Sequence, residues 1–407
     1  MDFKVIAVVL MVLTMLWELF LQYRNHKSLN NPVPECLKDI YNEAEYQKWH
    51  SYEGEKSQLH FYASVAVFAV NLVLILLDCY AGFAHLFGEN LYAAALGVLI
   101  LDTLVSVLVG LPFEAKDTFG IEQKYGFNRS DKKTFIGDVI KNLIINLILM
   151  GVLVCAFTAI HQAMGDWVIV LFAGVFMLIV FCITLLQPVL TRVFNKFTPL
   201  EDGELKDKLT ALLESHGYKV RAIEVMDASR RSTKMNAYFT GFGAMKTIVL
   251  FDTLVAAASP DELCAVFAHE MGHGLHHDTT KLQLINGLQA VLMALCLWVL
   301  VRSETVFLSF GFSTVNYGMA FILMNILMGV LSPLSGLLTS GFSRRMEYRA
   351  DAQAVEEGYG EALISGLKLL SKDNMVNLSP DPLVVKLTYS HPTLFERVTA
   401  IEKKMKK

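Results

Sequence analysis

The segment His269-Glu270-Met271-Gly272-His273 sets two imidazoles four residues apart with a carboxylate between them. On a helix, positions i and i+4 stack on one face, so both rings can reach a single metal ion. Glu270 is offset around the helix and can serve a water at that ion without filling a coordination position. Imidazole and carboxylate suit Zn²⁺, which brings the pKa of its water to about 7. Glu270 can then take the water's proton and pass it to the leaving amine of a peptide. With 11 His in 407 residues, chance gives this pattern in on the order of one chain in a hundred. The bland alternative is a solvated polar helix face. The apolar flank Leu263, Val266 and Phe267 speaks against it.

A third ligand must come from elsewhere. His276, His277 and Asp278 are close in sequence but fall at or beyond the expected end of the helix. A polar helix end at the membrane surface accounts for them better than ligation. After the last apolar run comes Ser343-Arg344-Arg345-Met346-Glu347-Tyr348-Arg349-Ala350-Asp351. Glu347 and Asp351 are again i and i+4. One carboxylate can bind zinc while the other orients a ligand histidine. A charged helix with internal Arg–Glu pairing is the alternative. Further on, His391 precedes Pro392, which can start a helix. A His or Arg there could stabilise an oxyanion, although an ordinary loop histidine fits the spacing as well.

These residues must be held by a largely apolar chain. Hydrophobic residues make up 54% and charged residues 18%, against about 45–50% and about 25% in soluble domains. The mean hydropathy is +0.44. The apolar excess lies in runs, which excludes a wholly soluble enzyme and a disordered chain. The net charge of −4 gives no reason to expect a nucleic-acid partner. The 6 Cys form no CxxC pair and read as small apolar fillers.

A spanning helix needs about 20 mostly apolar residues. Seven stretches qualify: 3–22, 61–83, 92–113, 136–160, 166–190, 281–302 and 316–338. The first has no small-residue cleavage site and reads as a retained anchor. Loops rich in Lys and Arg alternate with loops nearly free of them, which places the N-terminus outside and the large polar segments and C-terminus on the cytoplasmic side. Asp102 sits in mid-run and implies a wet interior, whereas Glu18 and Asp78 lie near span ends.

Residues 191–280 read as a small α+β unit. Thr198 to Glu201 resembles a capping box opening a helix to about Ser215, with His216-Gly217 ending it. Residues 219–226, 237–243 and 247–251 read as strands, the second an edge strand. Ser259-Pro260-Asp261-Glu262 opens the helix of the two histidines, expected to run to about His277. Four regions follow: 1–190 with helices one to five, 191–280 with the catalytic unit, 281–340 with helices six and seven, and 341–407 completing the site.

The chain resembles the type I CAAX prenyl endopeptidases, integral-membrane zinc metallopeptidases of the gluzincin kind. The likeness rests on Thr118 through Asn128 (TFGIEQKYGFN), Asn236 through Gly241 (NAYFTG), His269 through His273, Ser343 through Asp351, and Ser390-His391-Pro392. It implies a mainly α fold, with seven long helices around a water-filled chamber and the α+β unit at its cytoplasmic end. It implies one Zn²⁺ per chain held by His269, His273 and Glu347, with Glu270 as general base and Asp351 in support. Asn236 would help bind the substrate main chain by strand addition. His391 and Arg397 would line the site, His391 stabilising the transition state. The implied substrate is a prenylated CaaX peptide or another membrane-associated peptide. Thr393 replaces a proline common in the family, and an insertion typical of eukaryotic members is missing. That compactness suggests a bacterial inner-membrane enzyme, among membrane lipids. A quality-control membrane protease of the HtpX kind usually has fewer spans. A zinc-sensing transporter or receptor would not need Glu270.

Overall fold

The computed structural model describes residues 2–217, 222–240 and 247–407. Among these, six segments are long and apolar enough to cross a membrane: Phe3–Ser28, Glu43–Leu76, Leu91–Tyr125, Lys132–Ile183, Asp278–Val301 and Tyr317–Glu356. The fourth covers a helical hairpin, in which Lys132–Met164 turns at Gly165–Trp167 into Val168–Phe194. Side chains cap several starts: Asn90 accepts from the Ala93 amide, Asp131 from Thr134 and Asn316 from Met319. The second helix departs from the expected 61–83. It begins at Glu43, where Asn42 and Glu45 form a capping box, and ends at Leu76. Asp78 then takes a left-handed conformation (φ 53°), which separates the short helix Cys79–Ala84.

Apolar side chains in this half face outward. Ile136, Ile140, Ile144 and Ile148 recur every fourth residue and are all at least half exposed. In water such a stripe would drive aggregation; in a bilayer it meets lipid tails. Inside, Phe157, Phe172 and Phe321 pack edge to face. Small residues allow close helix approach. A Cβ on Gly318 would stand 2.2 Å from the Ala95 carbonyl oxygen. Polar side chains at depth find partners: Tyr80 donates to Asp102 (2.7 Å), and Ser64 (2.7 Å) and Gln22 (3.0 Å) donate to Glu18. Asp102 and Glu18 line a cavity of about 540 Å³ together with His60, Asn71 and Asn325. Glu18 therefore faces this cavity, and Asp78 pairs with Lys4 at 2.7 Å.

The polar half carries a four-stranded sheet in the order β1-β2-β4-β3, with β1 Phe197–Pro199, β2 Ala222–Met226, β3 Ala237–Thr240 and β4 Thr247–Phe251. Only the β2–β4 pair is parallel. The remainders of the expected strands, 219–221 and 241–243, lie outside the described residues. The expected helix start at Thr198 is not found. Thr198 pairs with Val225 in the sheet, and the helix begins at Glu204 after Gly203. Backbone pairing outcompetes the local capping signal. The core beneath joins Leu209 and Leu213 of that helix to Ile248, Leu250, Phe267, Met271, Ala354 and Ile401. Cys264 is fully buried there, as a small apolar filler.

The 118–128 motif ties the two halves together. Its first part is a π-helical turn, Asp117–Glu122. Glu122 accepts from Tyr52 (2.7 Å) and Lys56 (2.7 Å) of the second helix and from Lys234 (3.2 Å), just before β3. Phe127 accepts the Thr233 amide, and the Arg129 amide donates to the Arg231 carbonyl.

Candidate metal centre and active site

The catalytic helix, Pro260–Leu275, starts at the Ser259–Glu262 capping box with Pro260 at its first position. It ends two residues short of His277, which adopts a left-handed conformation (φ 54°) before the next helix starts at Asp278. Its partner is the 40-residue helix Tyr317–Glu356. The two helices touch at Gly272, where a Cβ would lie 2.9 Å from Cα of Ala350. This backbone contact lets side chains from separate helices converge.

His269, His273 and Glu347 offer donor atoms within 4.8 Å of one another. Glu347 lies between the rings, its Oε2 3.4 Å from His269 Nε2 and its Oε1 3.3 Å from His273 Nε2. Each ring is anchored through its other nitrogen. His269 Nδ1 meets Asp351 at 2.8 Å and His273 Nδ1 meets Asp278 at 3.0 Å. Arg397 grips Asp351 with two donors, at 2.6 and 2.9 Å. Asp351 and Asp278 are 1% and 2% exposed. Burial opposes charge on His273, but hydrogen bonds to Asp278 and Glu347 outweigh it and push its pKa up to about 10. Burial raises the Glu270 pKa, against the pull of the neighbouring histidines.

Glu270 lines a cleft of about 440 Å³ beside this cluster, together with Asn236, Leu367, Tyr389, His391 and Arg397. His391 is exposed toward the cleft, with Nε2 3.4 Å from Glu347 and Nδ1 2.8 Å from Ser390 Oγ. Pro392 does not start a helix. Thr393 and Glu396 form the capping box and the helix begins at Leu394. Asn236 immediately precedes β3, an edge strand beside the catalytic helix. Every site residue expected from sequence or resemblance thus borders one cluster and its cleft. His276 and His277 do not belong to the metal-binding group among the described residues. Sequence reasoning missed Asn374, whose side chain bonds both the amide and the carbonyl of Met235 at 3.0 Å and so braces the approach to β3. It also left Asp278 at a polar surface and gave no role to Arg349, whose Nη2 donates to Asp278 at 2.7 Å. Periodicity reports faces of helices, not a turn that folds a side chain back.

The donor set fits zinc. The residue types are those zinc prefers, and both Nε2 atoms point to one place. Glu347 Oε2 is buried and accepts no hydrogen bond. A buried carboxylate oxygen without a partner is costly, and a cation between the three side chains removes that cost. The raised proton affinity of His273 expresses the same demand for positive charge.

Comparison with known proteins agrees with this geometry. Residues 22–196 match the family model "CAAX prenyl protease N-terminal, five membrane helices", and residues 199–405 match "Peptidase family M48". CAAX prenyl protease 1 of Saccharomyces cerevisiae is 32% identical, the match covering 95% of this chain and 92% of the yeast protein. The Arabidopsis thaliana homolog is 33% identical, with 98% and 97% covered. The crystal structure of S. mikatae Ste24p superposes with a TM-score of 0.92 at 30% identity, covering 99% of each chain. Fold and site together define an integral-membrane metalloendopeptidase. The chain belongs to the CAAX prenyl protease 1 family of M48 peptidases. The expected bacterial source is not borne out, since these relatives come from yeasts and a plant.

Proposed function

We propose that this protein hydrolyses peptide bonds near the C-terminus of prenylated, CaaX-type peptides held at a membrane. The carrying observation is the Glu347 carboxylate set between two Nε2 atoms, with Glu270 in the adjoining cleft. His269, His273 and Glu347 would hold one Zn²⁺ per chain. Zinc supplies Lewis acidity that makes water acidic enough for a carboxylate base near neutral pH. Glu270 takes the proton of the attacking water and delivers it to the leaving amine. Its raised pKa brings it closer to the operating pH. His391 donates toward the developing oxyanion. Asp351, held by Arg397, keeps His269 in the tautomer that leaves Nε2 free. The substrate main chain adds to the open edge of β3, and Asn236 helps fix its register.

The membrane arrangement follows the same reading. Counting the hairpin 132–194 as two crossings gives seven. The loop charges support an outer N-terminus, with the catalytic unit and the C-terminus on the cytoplasmic side. The 540 Å³ cavity lined by Glu18 and Asp102 supports a water-filled interior. Regions 1–190, 191–280, 281–340 and 341–407 then act as membrane bundle, catalytic unit, closing helices and site-completing segment.

The test is a farnesylated CaaX peptide against its unprenylated twin, with purified enzyme loaded with zinc. Preferential cleavage of the lipidated peptide is expected. Equal cleavage of both would shift the assignment to a general membrane-protein protease.

A further inference from the structure

The two metal-facing histidines are held by two similar three-residue chains. One runs from His269 Nδ1 to Asp351 (2.8 Å) and on to Arg397 (2.6 Å). The other runs from His273 Nδ1 to Asp278 Oδ2 (3.0 Å) and from Asp278 Oδ1 to Arg349 Nη2 (2.7 Å). Lys281 Nζ stands 3.6 Å from the same Oδ1. The carboxylates come from different places. Asp351 is on the long helix, whereas Asp278 is five residues beyond the histidine it serves. The left-handed residue His277 makes this possible by breaking the helical path between Leu275 and Asp278. Asp278 is also the first residue of its helix, where free amides favour a negative charge.

We propose that Asp278 and Arg349 are positioning residues for the metal centre, a reading that rests on the zinc-peptidase assignment above. Asp278 accepts the Nδ1 proton of His273, which leaves the Nε2 lone pair for the metal. Arg349 holds the Asp278 carboxylate in place from the helix that also carries Glu347. Both histidines and the ligand carboxylate are thereby referred to one helix, Tyr317–Glu356. His269 reaches it through Asp351, and His273 reaches it through Asp278 and Arg349.

The test measures the zinc dissociation constant of the full-length protein in detergent, by competition with a chromogenic chelator. Metal-free thermal unfolding of each variant is recorded alongside. Asp278→Ala weakens zinc binding roughly 10–100-fold, and Asp278→Asn recovers part of that because its amide oxygen still accepts the Nδ1 proton. Arg349→Ala weakens binding less. The double variant Asp278→Ala/Arg349→Ala binds zinc no worse than Asp278→Ala alone, because the arginine acts through the aspartate. Zinc affinity within about twofold of wild type in both single variants, or an additive double variant, overturns the proposal. If Asp278→Ala does not fold, Arg349→Ala decides alone: weakened binding supports the pair, and unchanged binding overturns it. A wild-type protein that takes up no zinc would instead overturn the zinc-peptidase reading itself.

Discussion

In the membrane half, Asp102 receives a hydrogen bond from Tyr80, and Glu18 receives two from Ser64 and Gln22. In the catalytic half, Glu347 keeps a buried oxygen that accepts no hydrogen bond. Both regions take carboxylates away from bulk water. The first satisfies them within the protein, while the second leaves one short of a partner between two imidazoles. Asp78 and Asp117 also keep a buried oxygen without a hydrogen bond, but each pairs with a lysine, whereas the Glu347 carboxylate faces two imidazoles. Polarity inside a membrane protein does not by itself mark the reactive place; a carboxylate set between metal-binding rings does.

Substitutions test that contrast, starting with the largest effect. Glu347→Ala should strip the metal and cost more than the about 10²–10⁴-fold that a general base contributes. Zinc content read by atomic absorption, together with peptide turnover, checks it, and zinc occupancy should fall further than in Asp278→Ala. Glu270→Gln should lose about 10²–10⁴-fold in kcat while retaining zinc; undiminished cleavage would remove Glu270 from the mechanism. Gly272→Ala should cost about 1–3 kcal/mol of stability, because the added methyl meets the Ala350 backbone. Thermal unfolding reads that loss.

A further effect concerns protons. Without metal, His273 has a pKa of about 10, so at neutral pH it holds a proton. Zinc needs the neutral ring and must displace that proton. Affinity should therefore fall at least about tenfold for each unit of pH lowered. The fall is steeper where His269, whose burial opposes charge but whose hydrogen bonds to Asp351 and Glu347 raise its proton affinity, must also lose its proton. Calorimetry in buffers of different ionisation enthalpy would reveal the released proton, and a heat independent of buffer would contradict it. The smallest effect is expected in the membrane half. Asp102→Asn keeps an acceptor for Tyr80 and should change stability by less than about 1 kcal/mol, with zinc affinity untouched. A loss of zinc there would erase the contrast between the two regions.

Much of this was legible in the amino-acid order because it rests on local physics. The strand 247–251, the Ser259 cap and the histidine pair each follow from a few adjacent residues, and all three stand where the pattern puts them. The apolar runs similarly located the spanning helices, although not the early start at Glu43 set by the Asn42 cap. Thr198 misled because a sheet partner distant in sequence claimed its backbone. Asp278 was misread because its role depends on the backbone sign of one preceding residue, His277. That Glu347, rather than Asp351, sits between the two Nε2 atoms needed the resemblance, since spacing alone made the two carboxylates equivalent.

The helix Tyr317–Glu356 is continuous from its apolar start to its acidic end. At about 1.5 Å of rise per residue, Glu347 stands roughly 14 Å beyond residue 338, where the apolar run closes. A rod of that kind works as a depth gauge. It carries Glu347 a fixed distance along one axis from the apolar run, so the segment that enters the membrane half also sets how far the metal-facing carboxylate stands from it.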